Sequence, residues 1–147
     1  MNIFKSRKSM RFMAASIVAC SLLLHSCSPS GNVTTDVPNI IGEWNILKAE
    51  GISTKDGANP ATISFNAEGK VNGCASVNRF FGSYEFDGRN LSLGNLGVTR
   101  MMGPNMEIED AVIKAINSTH SVRIKGDKAS FFDNEGAKVM TLKKAGK

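Results

Sequence analysis

Arg79-Phe80-Phe81-Gly82-Ser83-Tyr84-Glu85-Phe86-Asp87-Gly88-Arg89-Asn90-Leu91-Ser92-Leu93 holds the densest aromatic stretch of the chain and then breaks at Asp87-Gly88. Aromatic side chains favour strands because they pack across a pleated, half-buried surface. Asp-Gly supplies the positive φ that a two-residue hairpin turn demands. The stretch therefore predicts a core strand through Phe80, Phe81, Tyr84 and Phe86, a turn at Asp87-Gly88, and a return strand through Leu91 and Leu93.

Working outward, Trp44 and Ile46 share one face of a first strand, with Leu47 opposite or near a bulge. Ala61 to Asn66 alternates Ile63 and Phe65 against Thr62 and Ser64, as expected of a sheet with one wet face. Lys55 to Pro60 reads as a turn-rich connection, Glu68-Gly69-Lys70 as a turn into Val71, and Gly73 to Asn78 as irregular. Toward the C-terminus one helix is expected. Gly103-Pro104-Asn105 supplies its stop and cap, Glu107, Glu109 and Asp110 complement its dipole, and Ile108, Ala111, Val112, Ala115 and Ile116 form its apolar face. It should end near Asn117. Three further strands follow, around Val122 and Ile124, around Ala129, Phe131 and Phe132, and at Val139-Met140-Thr141-Leu142. The expected fold is α+β: a curled, barrel-like antiparallel sheet of about seven or more short strands packed with one main helix.

The chain has 147 residues, 18 Lys+Arg against 13 Asp+Glu, and a formal charge of +5. Length allows one ordinary domain, and no interior apolar run reaches the roughly 20 residues of a bilayer-crossing helix. Lys5, Arg7, Lys8 and Arg11 precede a mostly apolar run from Phe12 to Leu24, the pattern of a secretory signal. The run ends in Leu22-Leu23-Leu24-His25-Ser26-Cys27, which resembles a bacterial lipobox. Cleavage before Cys27 would make that cysteine the lipidated N-terminus and leave 14 basic against 13 acidic residues. Ile17-Val18-Ala19-Cys20 also resembles a lipobox, but a cut there would strand Leu22 to Leu24 in the mature chain. The bland alternative is an ordinary signal cut near Ser26. The expected organisation is a lipoprotein signal peptide over 1–26, a lipidated cysteine and flexible tether over 27–38, and one domain over 39–147. Two or three acyl chains hold a protein firmly to a bilayer, whereas one holds it marginally. With the cationic signal removed, the charge balance gives no reason to expect nucleic acid as a partner.

Val71-Asn72-Gly73-Cys74-Ala75-Ser76-Val77-Asn78-Arg79-Phe80-Phe81-Gly82-Ser83-Tyr84, then Thr99-Arg100-Met101-Met102-Gly103-Pro104 and Met106-Glu107-Ile108-Glu109, resemble the META domain family, that of the bacterial heat-shock lipoprotein HslJ. Gly42-x-Trp44-x-Ile46 at the start and Val139-Met140-Thr141-Leu142 at the end agree with the resemblance, which covers residues 40 to 143. Many members carry one cysteine directly before the Asn-Arg pair and another after the Thr-x-Met element. Those positions hold Val77 and Gly103 here, so the disulfide that the resemblance implies cannot form. Cys74 is left as a free thiol.

Asn78, Arg79, Tyr84 and Arg100 sit in the most family-like segments. An Arg pair beside aromatics suits a carboxylate, a phosphate or a peptide terminus. The same four residues also suit a scaffold role, with Asn78 holding a turn, the arginines tying two loops and Tyr84 packing with its hydroxyl at the rim. A catalytic Cys74 would need a base, and the only histidine outside the signal, His120, lies in a polar stretch after the helix. One thiol and one histidine do not make a zinc set, and Asp127, Asp133, Asn134 and Glu135 read as solvated turn residues. No metal, cofactor or catalytic residue is assigned. Ser28 directly after Cys27 resembles the sorting pattern of bacterial outer-membrane lipoproteins, and no acidic cluster follows to support export to the outer surface, so a lipid-anchored protein facing the periplasm is expected. Its expected role is non-catalytic, in envelope stress tolerance or contact with another envelope protein; the alternative is a module that binds a small molecule or peptide.

Overall fold

Trp44 organises the interior: its indole is buried, and its N–H donates to the Ile40 carbonyl at 2.8 Å, so the largest side chain of the chain enters the core with its polar atom satisfied. The computed structural model describes residues 38–146. The expected signal segment, Cys27 and nearly all of the tether lie outside the described residues. Ten strands and one helix follow in the order β1 (Gly42–Ala49), β2 (Ile52–Ser53), β3 (Thr62–Phe65), β4 (Lys70–Cys74), β5 (Arg79–Phe86), β6 (Leu91–Leu93), β7 (Gly97–Val98), α1 (Met106–Ser118), β8 (Ser121–Lys125), β9 (Lys128–Phe132) and β10 (Lys138–Lys144).

All named pairings are antiparallel, and the main path through the sheet is β6-β5-β4-β3-β1-β10-β9-β8, with β2 on β1 and β7 on β5. Its two ends meet. Asn90 and Ser121 form a bridge, Leu91 N–H donates to the His120 carbonyl at 2.9 Å, and Val122 N–H donates to the Arg89 carbonyl at 2.8 Å. The α+β architecture is thus a nearly closed barrel with one helix, and closure leaves few edges to template aggregation. The short β2 and β7 carry too few residues for a periodic signal, which is why they escape a reading based on alternation.

Trp44, Ile46, Ile63, Phe65, Val71, Phe80, Leu91, Phe131, Met140 and Leu142 point inward, and α1 adds Ala111, Val112, Ala115 and Ile116 to the same core. Burying each large apolar side chain stabilises the fold by roughly 1.5–3 kcal/mol. Leu47 is unpaired where the β1–β10 register slips, so β1 bends there and Leu47 faces outward. Phe81 departs from the expected core strand: it is 60% exposed, because alternation along β5 buries Phe80 and sends Phe81 outward. Gly73 passes so close to the Phe80 ring and the Thr62 carbonyl that a Cβ there would collide with both.

Two local details differ from the sequence expectation. Asn105 stands at the N-cap of α1 in the left-handed region, φ 55°, but its side chain makes no cap; its amide donates instead to the Asp56 carbonyl. Asn tolerates this conformation better than most residues. The β5–β6 turn is centred on Gly88-Arg89 rather than Asp87-Gly88, since Asp87 N–H donates to the Asn90 carbonyl across it. Gly88, at φ 97°, takes the positive-φ position. The Asp87 carboxylate accepts from the backbone N–H groups of Asn90 and Arg89 and from the Asn90 amide, at 2.7, 2.9 and 2.8 Å.

These hydrogen bonds, the one from the Asn90 backbone first, hold the Asp87 carboxyl below its ordinary 3.8. A depressed folded value contributes stability that is present above the unfolded value and is lost as pH falls through the folded one. Urea midpoints measured from about pH 5 to about pH 2 should therefore fall more for the wild type than for Asp87→Asn. Parallel curves would remove Asp87 from the acid response.

Candidate functional site

Asn78 is 2% exposed and Glu109 is 5% exposed, an unusual depth for an amide and a carboxyl so close together. Asn78 lies in the β4–β5 loop and Glu109 in the first turns of α1. The Asn78 amide donates to Glu109 Oε1 at 2.6 Å and to the Met101 carbonyl at 2.9 Å. Its Oδ1 accepts from Met101 N–H at 2.7 Å and from the Thr99 hydroxyl at 2.8 Å. Glu109 Oε2 accepts from the backbone N–H groups of Asn78 and Val77, at 2.8 and 3.1 Å. Every buried polar side-chain atom among the described residues has a partner. A network satisfied in this way fixes one geometry, because a half-broken version would leave desolvated donors.

The same loop is held from its other side. Ser76 is fully buried at φ 149°, a conformation L-residues rarely adopt. Its hydroxyl accepts from Ala58 N–H at 2.9 Å and its carbonyl accepts from the Asn59 amide at 2.7 Å. Gly103 backs onto Val77: a Cβ at 103 would lie 3.4 Å from the Val77 Cβ. That is close to the roughly 3.5–4.5 Å between the Cβ atoms of a disulfide. The two positions where the resemblance implies a cystine are thus in contact, occupied by Val and Gly.

Because Asn78 engages both backbone polar groups of Met101, the segment from Val98 to Met102 is pinned by its main chain, and the side chains of Arg100, Met101 and Met102 turn outward. Met101 is 55% exposed and Met102 89% exposed. Together with Val98, Met106 and Ile113 they wall an open groove of about 810 Å³ between this segment and α1. Arg100, Asp110 and Lys114 are its exposed ionisable side chains, and the buried Glu109 lies in its lining as well. Lys114 Nζ is 2.6 Å from Glu50 Oε2. Among the described residues the Arg100 guanidinium makes no ion pair or hydrogen bond, and it remains exposed.

Of the four residues singled out by sequence, the groove gathers Asn78 and Arg100. Arg79 is exposed at the start of β5; its carbonyl accepts from Thr99 N–H and its own N–H donates to the Thr99 hydroxyl, both at 3.0 Å. Tyr84 is remote from the groove. Its hydroxyl donates to the Asn66 carbonyl at 2.6 Å, its ring meets Phe65 edge-on at 4.9 Å, and burial, with the Glu68 charge second, raises its pKa above 10.0. Cys74 is half-buried at the end of β4, 3.5 Å from the Ser76 carbonyl. It pairs with Arg79, whereas His120 bonds to Leu91, the partner of Phe86 at the other end of β5. Seven strand steps, about 23 Å, separate those two ends. No group of three His, Cys, Asp or Glu side chains gathers as a metal set among the described residues. The Asp133 carboxylate accepts from Glu135 and Ala137 N–H of its own turn.

Glu109 is the residue that sequence reasoning missed. Read as a dipole partner, it nonetheless stands three positions before Val112 and seven before Ile116, on the buried arc of the helix. A carboxyl on an apolar stripe signals a buried partner. Removing either member orphans the other, so Asn78→Ala and Glu109→Ala should each cost about 3 kcal/mol or more in urea unfolding. The double variant should cost less than their sum by at least about 1 kcal/mol. Additive losses would show that the two side chains act independently.

The model of the META domain matches residues 38–146. Three solved structures are similar to the chain. One, described only as the NMR structure of a protein, is 21% identical, with a TM-score of 0.57 over 69% of this chain and 87% of that one. An NMR structure of a protein from Burkholderia xenovorans is 26% identical, with a TM-score of 0.55 over 72% and 83%. A crystal structure of a DUF4847 family protein from Bacteroides vulgatus is 14% identical, with a TM-score of 0.51 over 69% and 91%. No curated protein matches the chain. The fold, the family model and the placement of the Asn78 and Thr99-Arg100-Met101-Met102 segments agree: the chain belongs to the META domain family.

Proposed function

We propose that this META-domain protein is a non-catalytic bacterial envelope lipoprotein, anchored in the outer membrane through acylated Cys27 and facing the periplasm, that holds an apolar peptide segment of another envelope protein. The groove between Val98–Met102 and α1 carries the reading. Methionine side chains are unbranched and polarisable, so a wall built from Met101, Met102 and Met106 adapts to apolar side chains of different shape. Arg100 stands at the same groove with its guanidinium free, a suitable partner for a carboxylate on the bound segment. A surface that accepts varied apolar segments suits a role in stress tolerance, when envelope proteins expose such segments, and agrees with the resemblance to heat-shock lipoproteins of the HslJ kind.

The cationic and apolar segments before Cys27 support export and anchoring. Among the described residues no helix is long and apolar enough to cross a membrane. Mass spectrometry of the chain purified from bacterial membranes should find acylated Cys27 at the N-terminus; an unmodified Cys27 would remove the anchor from the reading.

The groove is tested by NMR titration with a short peptide ending in leucine or phenylalanine with a free carboxylate. Resonances of Met101, Met102 and Ile113 should shift. Arg100→Met should weaken binding about tenfold, a loss of about 1.4 kcal/mol, with an unchanged melting temperature. Ile113→Asp should abolish it. Absence of shifts at these residues, or equal affinity of the variants, would overturn the assignment.

A further inference from the structure

Charge is unevenly distributed around the barrel. On the outer face of β8, β9, β10 and β1, Arg123, Lys125, Lys128, Lys138, Lys143 and Lys48 are all exposed. The register makes them one array. Lys125, Lys128 and Lys143 form a row across β8, β9 and β10, and Arg123, Ser130, Thr141 and Lys48 form the next row, reaching β1. Ser121, Phe132 and Lys138 make the third. Arg123 reaches over the Phe132 ring at 5.1 Å, which places both on this outer face.

Asp127, Asp133 and Glu135 lie in the turns at the two ends of the array, Glu50 follows β1 and pairs with Lys114, and Glu43, opposite Ser64 of β3, is the carboxylate on the outer face of β1 itself. Asp127 Oδ2 is 3.9 Å from Lys143 Nζ, both largely exposed, and neutralises little in water. The other half of the barrel differs: β3 to β6 carry Lys70 and Arg79 against Glu85, with Phe81 and mostly serine, threonine and asparagine otherwise facing out. Six cations on one face in a domain of nearly balanced charge are a directed feature, since like charges in adjacent rows repel unless something anionic lies against them.

The entry point of the chain falls on the same side. Pro38, where the described residues begin, lines a cavity of about 590 Å³ with Arg89, Arg123, Phe132 and Gly136, at the β9–β10 turn end of the array. A chain held to a bilayer from its N-terminal side thus enters its domain beside the cationic face.

We infer that the outer face of β8, β9, β10 and β1 rests on the surface of an anionic phospholipid bilayer. The cations, spread over several rows of the sheet, bind the headgroup phosphates collectively. Each lysine or arginine near such a surface strengthens attachment about fivefold. The face is distinct from the Met-lined groove, whose wall comes from Val98–Met102 and the flank of α1. The inference uses the proposed anchor only to bring the face near a membrane.

The test is lysine footprinting by an acylating reagent, read by mass spectrometry, on the full chain reconstituted into vesicles. One set contains phosphatidylglycerol in phosphatidylcholine and the other phosphatidylcholine alone. With phosphatidylglycerol, labelling of Lys125, Lys128, Lys138 and Lys143 should slow at least about fivefold, while Lys55 and Lys70 react as before. High salt should abolish the protection, because screening shortens the reach of surface charge. Lys125→Glu/Lys128→Glu/Lys143→Glu should return Lys138 and Lys48 to full reactivity.

Equal labelling on both vesicles would overturn the inference. So would protection on phosphatidylcholine that grows with protein density, which would assign the face to contacts between copies of the chain. Flotation with phosphatidylcholine vesicles reports the anchor separately, so loss of flotation and loss of lysine protection identify different failures.

Discussion

The contact between Asn78 and Glu109 is the constraint on which the rest of this domain depends. Strand pairing and apolar burial explain the barrel, but they do not dictate where a loop between β4 and β5 sits against a helix some thirty residues later. That placement requires directional bonds. Asn78 uses both sides of its amide, binding the main chain of Met101 much as a neighbouring strand would, while Glu109 caps the loop through two backbone N–H groups. Three segments distant in sequence are thereby held in register by two side chains.

The groove follows from this arrangement. A segment whose backbone polar groups are satisfied by a buried amide has no need to fold its side chains inward, so Arg100, Met101 and Met102 project toward solvent beside α1. Exposed methionines are usually costly, because unpaired apolar surface invites association. Here their exposure is held in place by polar groups that cannot move without leaving donors and acceptors unsatisfied. Rigidity of the main chain and adaptability of the thioether side chains coexist in one short segment, and that combination suits a surface that receives an apolar partner.

Much of the barrel is legible in the sequence because its signals are local. Ile63 and Phe65 alternate with Thr62 and Ser64, the apolar positions of α1 recur at helical spacing, and Leu47 falls where a bulge is required. Closure is not local: the bridge between Asn90 and Ser121 joins the two ends of the sheet path, and nothing in either residue announces the other. The site was legible only in part. Asn78 and Arg100 stand out by motif, but Glu109 looks like an ordinary helix-start carboxylate until its angular position on the buried face is considered. Phe81 misleads for the converse reason, since an aromatic residue in a strand is read as core before the alternation of β5 is followed.

Val77 and Gly103 bring these strands of argument together. The resemblance implies a cystine at this pair in many members of the family, and the two positions are in contact here, with Gly103 packed against the valine side chain. A cystine would fix the β4–β5 loop to the entry of α1 by a covalent bond and would lower the entropy of the unfolded chain. With valine and glycine in its place, the same two segments are joined by the Asn78 and Glu109 hydrogen bonds, while the Ser76 contacts to Ala58 and Asn59 hold the loop from its other side. The position of the groove wall is therefore set by noncovalent bonds whose strength depends on their exclusion from water. Any change that admits water beneath Met101 weakens the network and the groove together.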